Sequence, residues 1–446
     1  MSAVYFLCHG IEAIARRWPV WTRFGAWLSL AAVVLHGCGG GMTTAGVGSG
    51  GSGLAEGTVS GFGSVIVDGV EYDDSGVAAQ AADGSGGLRT ADLKLGQRVR
   101  LVYNDSRQID SIQVLPQLVG PASSAIDDHG WMQVMGQWVR VVKSQQDASR
   151  SGPTVLSGYS EADRIMAGDE LEVHGTWVYD ERKASHVLVA TRVEKLAAPA
   201  DSVQLAGVVR GLTDGSFRLN ASNGTLVQPS QPLPPALANG QVAHLWVARG
   251  RLGNAALDAT RVESVVLDLQ EVARHAQVIL SGLVAGYDPA TRVVEIQGMR
   301  IRLAPGLQVD EAALARGEFA SLKVSQADNM LVASDMTLRS AAAGGLGATV
   351  EVKGEASGID WTAATVGFIL RGVAIQAASA VVDASCRAMP ADVRRRVEVR
   401  GQSEAPGRPV TASQVTCSSD TAGSAGHTGN PLQPRAMLGM PVPSLA

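Results

Sequence analysis

The chain has 446 residues, of which 18% are charged and 4% aromatic, with 52 glycines and a formal net charge of −5. That length accommodates several domains. The absence of a basic excess argues against a protein that neutralises a phosphate backbone, so nucleic acid is not the expected partner. Abundant Gly, few charges and scarce helical periodicity point instead to many short strands joined by turns.

In chain order, Arg16, Arg17 and Arg23 precede an apolar run of 12 residues, Phe24 to Leu35. A bilayer-spanning helix needs about 20 residues, whereas a run of this length suits the apolar region of a secretory signal. It ends in Leu35-His36-Gly37-Cys38. This resembles the lipobox of bacterial lipoproteins, with His36 an unusual occupant of the middle position. The resemblance implies cleavage before Cys38, with residues 1–37 as signal peptide, and lipid attachment to the Cys38 thiol. Several acyl chains hold a protein stably on a membrane, where one is marginal. Residues 38–56 are rich in Gly, Ser, Thr and Ala and read as a flexible tether. Gly39 as the second mature residue implies, by the same resemblance, sorting to the outer membrane.

The rest of the chain repeats. A glycine in a short strand recurs at Gly57, Gly120, Gly207, Gly282 and Gly354, at spacings of 63, 87, 75 and 72 residues. Each is followed by a hairpin: VIVDGVEYD, MQVMGQWVRV, LNASNGTLV, VEIQGMRIRL and FILRGVAIQ. Asp-Gly and Asn-Gly favour two-residue hairpin turns because φ can be positive there. Two more strands close each unit. The units are 57–115, 117–196, 203–268, 278–340 and 350–417, with 418–446 a Gly-, Ser- and Pro-rich disordered tail. A sheet this small buries a core only by curling and removing its edges. The expected fold class is all-β: tandem small five-stranded OB-like β-barrels, with an SH3-like barrel as runner-up.

The block EGTVSGFGSVIVDGVEYD…LKLGQRVRLVY…IDSIQVL resembles a domain family of unknown function, DUF5666. The family pattern is kept at Gly57, Val59, Gly61, Phe62, Gly63, Ser64, Val65, Val67, Gly69 and Tyr72, with Asp68 where Asn is common. The first unit matches best, and the other four are degenerate copies. The resemblance implies tandem domains in envelope proteins, often lipoproteins, and brings no catalytic residue.

Of four cysteines, Cys8 leaves with the signal and Cys38 takes lipid, leaving Cys386 and Cys417. In an exported chain this pair is expected to form a disulfide that staples the last strand of the last unit. No metal site is expected. His174 and His186 share a hairpin, but a turn near Asp180 to Lys183 sets His186 opposite Trp177 and His174 opposite Val189, apart from each other. The acidic group Asp68, Glu71, Asp73 and Asp74 lacks the spacing of a calcium loop and reads as a turn and a solvated strand end. Arg394, Arg395 and Arg396 read as a solvated basic run. GFGSV reads as a bulge or barrel corner. Nucleophile elbow, P-loop and dinucleotide signatures are missing from the sequence.

One hairpin stands out. Pairing across Met135-Gly136 gathers Met132, Val134, Val139 and Val141 on one face and Trp131, Gln133, Trp138 and Arg140 on the other. The first set reads as core. The second is the candidate ligand surface, suited to stacking a sugar ring or docking a partner; the competing reading is that a neighbouring barrel covers the indoles. The sequence therefore reads as an outer-membrane, lipid-anchored, non-catalytic binding or scaffolding protein without cofactor. Its expected partners are the membrane and an envelope polysaccharide or another envelope protein. The alternatives are an enzyme on envelope polysaccharide with a site between barrels, and a structural spacer.

Overall fold

A computed structural model describes residues 52–62, 64–83, 87–143, 153–264, 267, 269–328, 330–339, 350–388, 395–402 and 409–418. The signal, Cys38, nearly all of the tether, Arg394 and the tail lie outside these residues. The fold is all-β, in groups of strands that share one connectivity.

The fourth group is the simplest. It contains β20 (Gln277–Asp288), β21 (Val293–Ile296), β22 (Met299–Leu303), β23 (Phe319–Ala327) and β24 (Met330–Arg339). Antiparallel ladders join β20–β21, β21–β22, β23–β24 and β20–β23, and a parallel ladder joins β22–β24. The circuit closes as first, second, third, fifth, fourth and back to first, which is the order of an OB-like barrel. A short helix, α2 (Glu311–Ala315), sits between the third and fourth strands, with Asp310 Oδ1 accepting from the Ala313 N–H at 3.0 Å.

The first group has β1 (Gly53–Phe62), β2 (Val65–Val67), β3 (Val70–Tyr72), β4 (Ala79–Ala82), β5 (Leu88–Ala91), β6 (Arg98–Tyr103) and β7 (Ile109–Val114). Its third strand is split between β3 and β4, and both parts run parallel to β7. The second has β8 (Leu118–Pro121), β9 (Trp131–Val134), β10 (Gln137–Val141), β11 (Val155–Ser157), β12 (Glu170–Asp180) and β13 (Ser185–Lys195), again with β8–β12, β12–β13 and parallel β10–β13. The third has β14 (Ser202–Arg210), β15 (Phe217–Leu219), β16 (Leu226–Val227), β17 (Val242–Ala248), β18 (Ala256–Leu257) and β19 (Ala259–Ser264). It pairs β14–β15, β15–β16, β16–β18, β17–β19 and β14–β17. After α1 (Leu269–Arg274) and the fourth group, the fifth has β25 (Val350–Ala356), β26 (Thr365–Leu370), β27 (Val373–Ala378), α3 (Ala384–Arg387), β28 (Arg395–Gln402) and β29 (Val410–Ser418). Its ladders run β25–β28–β29–β27–β26.

The recurring first-strand glycine has one physical cause. The two-residue turns Asp68-Gly69, Met135-Gly136, Gln297-Gly298 and Arg371-Gly372 all have positive φ at both positions, the geometry that matches strand twist. Their first residue folds back over the first strand. A Cβ on Gly57 would lie 2.0 Å from Asp68 Oδ2, one on Gly120 2.6 Å from Met135 Sδ, and one on Gly354 3.1 Å from Arg371 Cγ. Asp68 Oδ2 thereby accepts from the Thr58 N–H at 3.1 Å. The third group differs. Phe217 pairs with Val227 across a six-residue loop, 220–225, and the Asn-Gly pair is not its turn. Asn220, with φ 67°, takes the folded-back role: its Oδ1 accepts from the Val208 N–H at 2.8 Å beside Gly207.

The groups are packed together. One continuous core spans the first and fifth, a second spans the second and third, and a third fills the fourth. First strands act as connectors: β1 runs parallel to β20 from Gly53–Gln277 to Glu56–Leu280, and Phe62 bridges to Val352 of β25. At Val59/Gly61 the β1 ladder shifts register, a bulge at Ser60, immediately before GFGSV.

Candidate functional site

On β9 and β10, Trp138 pairs with Gln133 and Arg140 with Trp131, while Val139 pairs with Met132. Met132, Val134, Val139 and Val141 are fully buried. Strand alternation therefore puts Trp131, Gln133, Trp138 and Arg140 together on the opposite face, all half-buried. The two indoles are diagonal neighbours at 6.3 Å between centroids and 88° between planes. A side chain from the same barrel lies over them. Lys183, in the turn between β12 and β13, places Nζ 3.7 Å from the Trp138 centroid and 4.9 Å from that of Trp131. The Arg140 guanidinium stands 5.4 Å from the Trp131 centroid. Among the described residues Lys183 makes no ion pair, so its ammonium is held by the indole faces.

A second cluster is absent from the sequence reading. Where the first four groups meet, Glu56, Arg98, Glu172, His174 and His244 are all buried. Arg98 Nη2 donates to Glu56 Oε1 at 3.1 Å, and Arg100 donates to Glu56 Oε2 from Nε at 3.2 Å and Nη2 at 3.0 Å. Arg98 also reaches the Ser281 carbonyl at 3.3 Å and, with the Gln297 amide oxygen turned inward, that oxygen at 3.0–3.1 Å. The Arg98 N–H donates to His174 Nδ1 at 3.2 Å, which leaves His174 Nε2 to donate to Glu172 Oε1 at 2.9 Å. Burial opposes ionisation of Glu56, but Arg100 and Arg98 hold its pKa below the ordinary carboxylate range. Burial likewise pushes Glu172 up, and His174, Lys94 and Arg89 outweigh it, bringing the pKa down to about 2.

Beside this junction is a cleft of about 60 Å³ lined by Arg100, Gln113, Gln204, His244, Trp246 and Glu263. His244 is pushed down by burial to about 3, against the pull of Glu56, so its imidazole is neutral. The cleft has room for a few waters but not for a sugar ring or a chain of residues.

Several sequence expectations need correction. In the β12–β13 hairpin His174 pairs with Arg192 and His186 with Tyr179, not with Val189 and Trp177. The turn lies between Asp180 and Ser185, and a bulge at His174/Gly175 shifts the register again. Asp68 lies in the turn and is buried, because it folds back over the middle of β1 and accepts from the Thr58 N–H. Arg395 is buried too: its guanidinium donates to the Cys386 carbonyl under α3. Glu295 and Arg300 pair across β21–β22, as their alternation indicates. Cys386 and Cys417 are joined by a disulfide that ties α3 to β29. Among the described residues no group of three or more His, Cys, Asp or Glu side chains is placed to hold a metal, and no helix is long and apolar enough to cross a membrane.

No family model matches the chain. No curated protein matches it. Among solved structures, Drosophila Unr CSD456 is similar over 41% of this chain and 87% of that one, at 13% identity and a TM-score of 0.14. So low a score carries no functional argument, and the reading rests on this chain's own residues.

Proposed function

We propose that this chain is a non-catalytic envelope protein, anchored by lipid on Cys38 at the bacterial outer membrane, whose tandem DUF5666-like barrels form a binding or scaffolding body. The observation that carries the binding role is the pair Trp131 and Trp138, turned away from the core of their own barrel with Lys183 of the same barrel over both rings. Half-buried indoles beside Gln and Arg offer stacking area that a ligand or partner can cover. The 12-residue apolar run, Leu35-His36-Gly37-Cys38 and the Gly-rich tether support the anchor. The Cys386–Cys417 bridge suits an oxidising compartment.

An enzyme acting on polysaccharide is the second reading. It calls for neighbouring carboxylates, one with a raised pKa. Glu56 and Glu172, the buried acids at the junction, are both held low by cations and do not supply that raised acid, whereas burial pushes Glu295 on β21 up.

Intact mass and membrane partition of the wild type beside Cys38→Ala test the anchor. The expected result is a membrane-bound wild type with the mass of residues 38–446 plus acyl chains, and a released mutant. A soluble, unmodified wild type overturns the localisation. Retention of Trp131→Ala/Trp138→Ala on envelope polymers, compared with wild type, tests the binding role; equal retention on every polymer counts against it.

A further inference from the structure

We propose that Trp131 and Trp138 form a cage for a small organic ammonium ion, and that Lys183 is the intramolecular occupant such a ligand displaces. This rests on the reading of these indoles as a binding surface and names what they bind. Two observations carry it. The rings stand at 88° and 6.3 Å, so they form two walls of a corner rather than a flat platform for a sugar. The corner already holds an ammonium, with Lys183 Nζ 3.7 Å from one centroid and 4.9 Å from the other.

The electrostatics follow from the ring quadrupoles. Each indole face is negative, and a cation held between two such faces is stabilised without a counter-ion. Lys183 has no carboxylate partner among the described residues, so nothing but the cage fixes its ammonium. Its backbone belongs to a tight turn, where the Lys183 N–H donates to Asp180 Oδ1 at 3.0 Å and Ala184 has φ 48°. The turn is thus held while the four-carbon stem is free to swing. A tethered ammonium competes at an effective concentration in the millimolar range, so an external cation binds weakly until Lys183 leaves. A quaternary ammonium gains relative to Lys183 because it surrenders less hydration on entering the corner.

The test uses the full chain in detergent, titrated with tetramethylammonium and followed by calorimetry and indole fluorescence. Choline and its uncharged isostere 3,3-dimethylbutanol are titrated in parallel as the charge control. The expected result is saturable binding of tetramethylammonium to Lys183→Ala, about tenfold or more tighter than to wild type. The same is expected of Lys183→Gln, with no binding to Lys183→Ala/Trp138→Ala. Near-ultraviolet circular dichroism of each variant verifies that the corner persists. Equal affinity in wild type and both Lys183 variants, no saturable binding to either, or equal binding of the neutral isostere overturns the proposal. If the cage fails while Trp131→Ala/Trp138→Ala still loses retention on an envelope polymer, the binding role stands with a different ligand. If both fail, the binding role falls as well.

Discussion

Two regions invert the usual placement of side chains, in opposite directions. At the junction of the first four barrels, charges lie inside: Arg98 is 1% exposed and Glu56 4%. On the β9–β10 hairpin, two tryptophans lie partly outside, against a lysine. The first inversion is satisfied internally, since Glu56 and Arg98 are hydrogen-bonded to groups from a neighbouring strand or barrel. The second is met by two cations of its own barrel, Lys183 over both rings and Arg140 beside Trp131. The difference separates a structural exception from a functional one. A buried ion network fixes how barrels are oriented, because it has one geometry that satisfies all its members. An exposed aromatic corner adds little to stability and is free to exchange its occupant.

The sharpest way to break this comparison is Arg98→Ala. Removing Arg98 leaves the buried Glu56 with Arg100 alone and strips the Ser281 carbonyl of its donor, and a loss of up to about 3 to 5 kcal/mol is expected in urea unfolding. Replacing both partners, Glu56→Leu/Arg98→Met, should be less damaging than Arg98→Ala alone. A double replacement as harmful as the single one would show that the junction's ionic character is not what sets the cost.

Next in size is the bridge of the fifth barrel. Closing a loop with a sequence separation of 31 residues stabilises by about 3 to 4 kcal/mol in the chain-entropy model. Cys417→Ser is expected to lower the melting temperature of that barrel while leaving tetramethylammonium binding to Lys183→Ala unchanged. A change in that binding would mean that the two ends of the molecule are coupled.

The third effect is pH dependence. His186 lies under Tyr179 at 5.3 Å between ring centroids, and burial pushes its pKa down to about 4, with Arg210 adding to the shift and the Asn220 carbonyl opposing it. An unfolded histidine titrates near 6.5, so between about pH 6.5 and 4 the unfolded chain takes up a proton that the folded chain refuses. Stability therefore falls as pH drops through that window, by up to about 3 kcal/mol for this group. His244 acts in the same direction. His186→Gln should flatten the slope measured by denaturant titration between pH 7 and 4; an unchanged slope would place the titration elsewhere.

The smallest effect is at the indoles themselves. Trp138→Ala removes a half-buried ring held by one cation and is expected to cost no more than about 1 kcal/mol. A loss as large as that of Arg98→Ala would move the hairpin into the structural class and remove the ground for the cage.

Much of the fold was legible because local rules act within a few residues. Val65, Val67 and Tyr72 share one face, with Ile66 the one apolar residue on the other, and Asp68-Gly69 permits positive φ, so hairpin and inward face follow from the sequence alone. The same alternation placed Trp131 and Trp138 on one outer face. The β12–β13 register was misjudged because a turn two residues further on and a bulge at Gly175 leave no mark in the hydrophobic pattern. Gly175 itself is the trace of that bulge, since a Cβ there would lie 2.2 Å from the Val189 carbonyl.

What the sequence determined by itself was the all-β barrel class, the two-residue turns at Asp68, Met135, Gln297 and Arg371, and the composition of the tryptophan face. These depend on side-chain alternation and backbone freedom, which are properties of neighbouring residues. Only the tertiary structure decided that Arg98 and Glu56 meet Ser281 of another barrel, that Arg395 is buried beneath a helix, and that Lys183 lies across both indoles. The first and last of those placements join residues far apart in the chain, the Arg395 contact depends on how a helix folds back over the next strand, and a strand's second face is polar in the sequence whether water or another barrel ends up covering it.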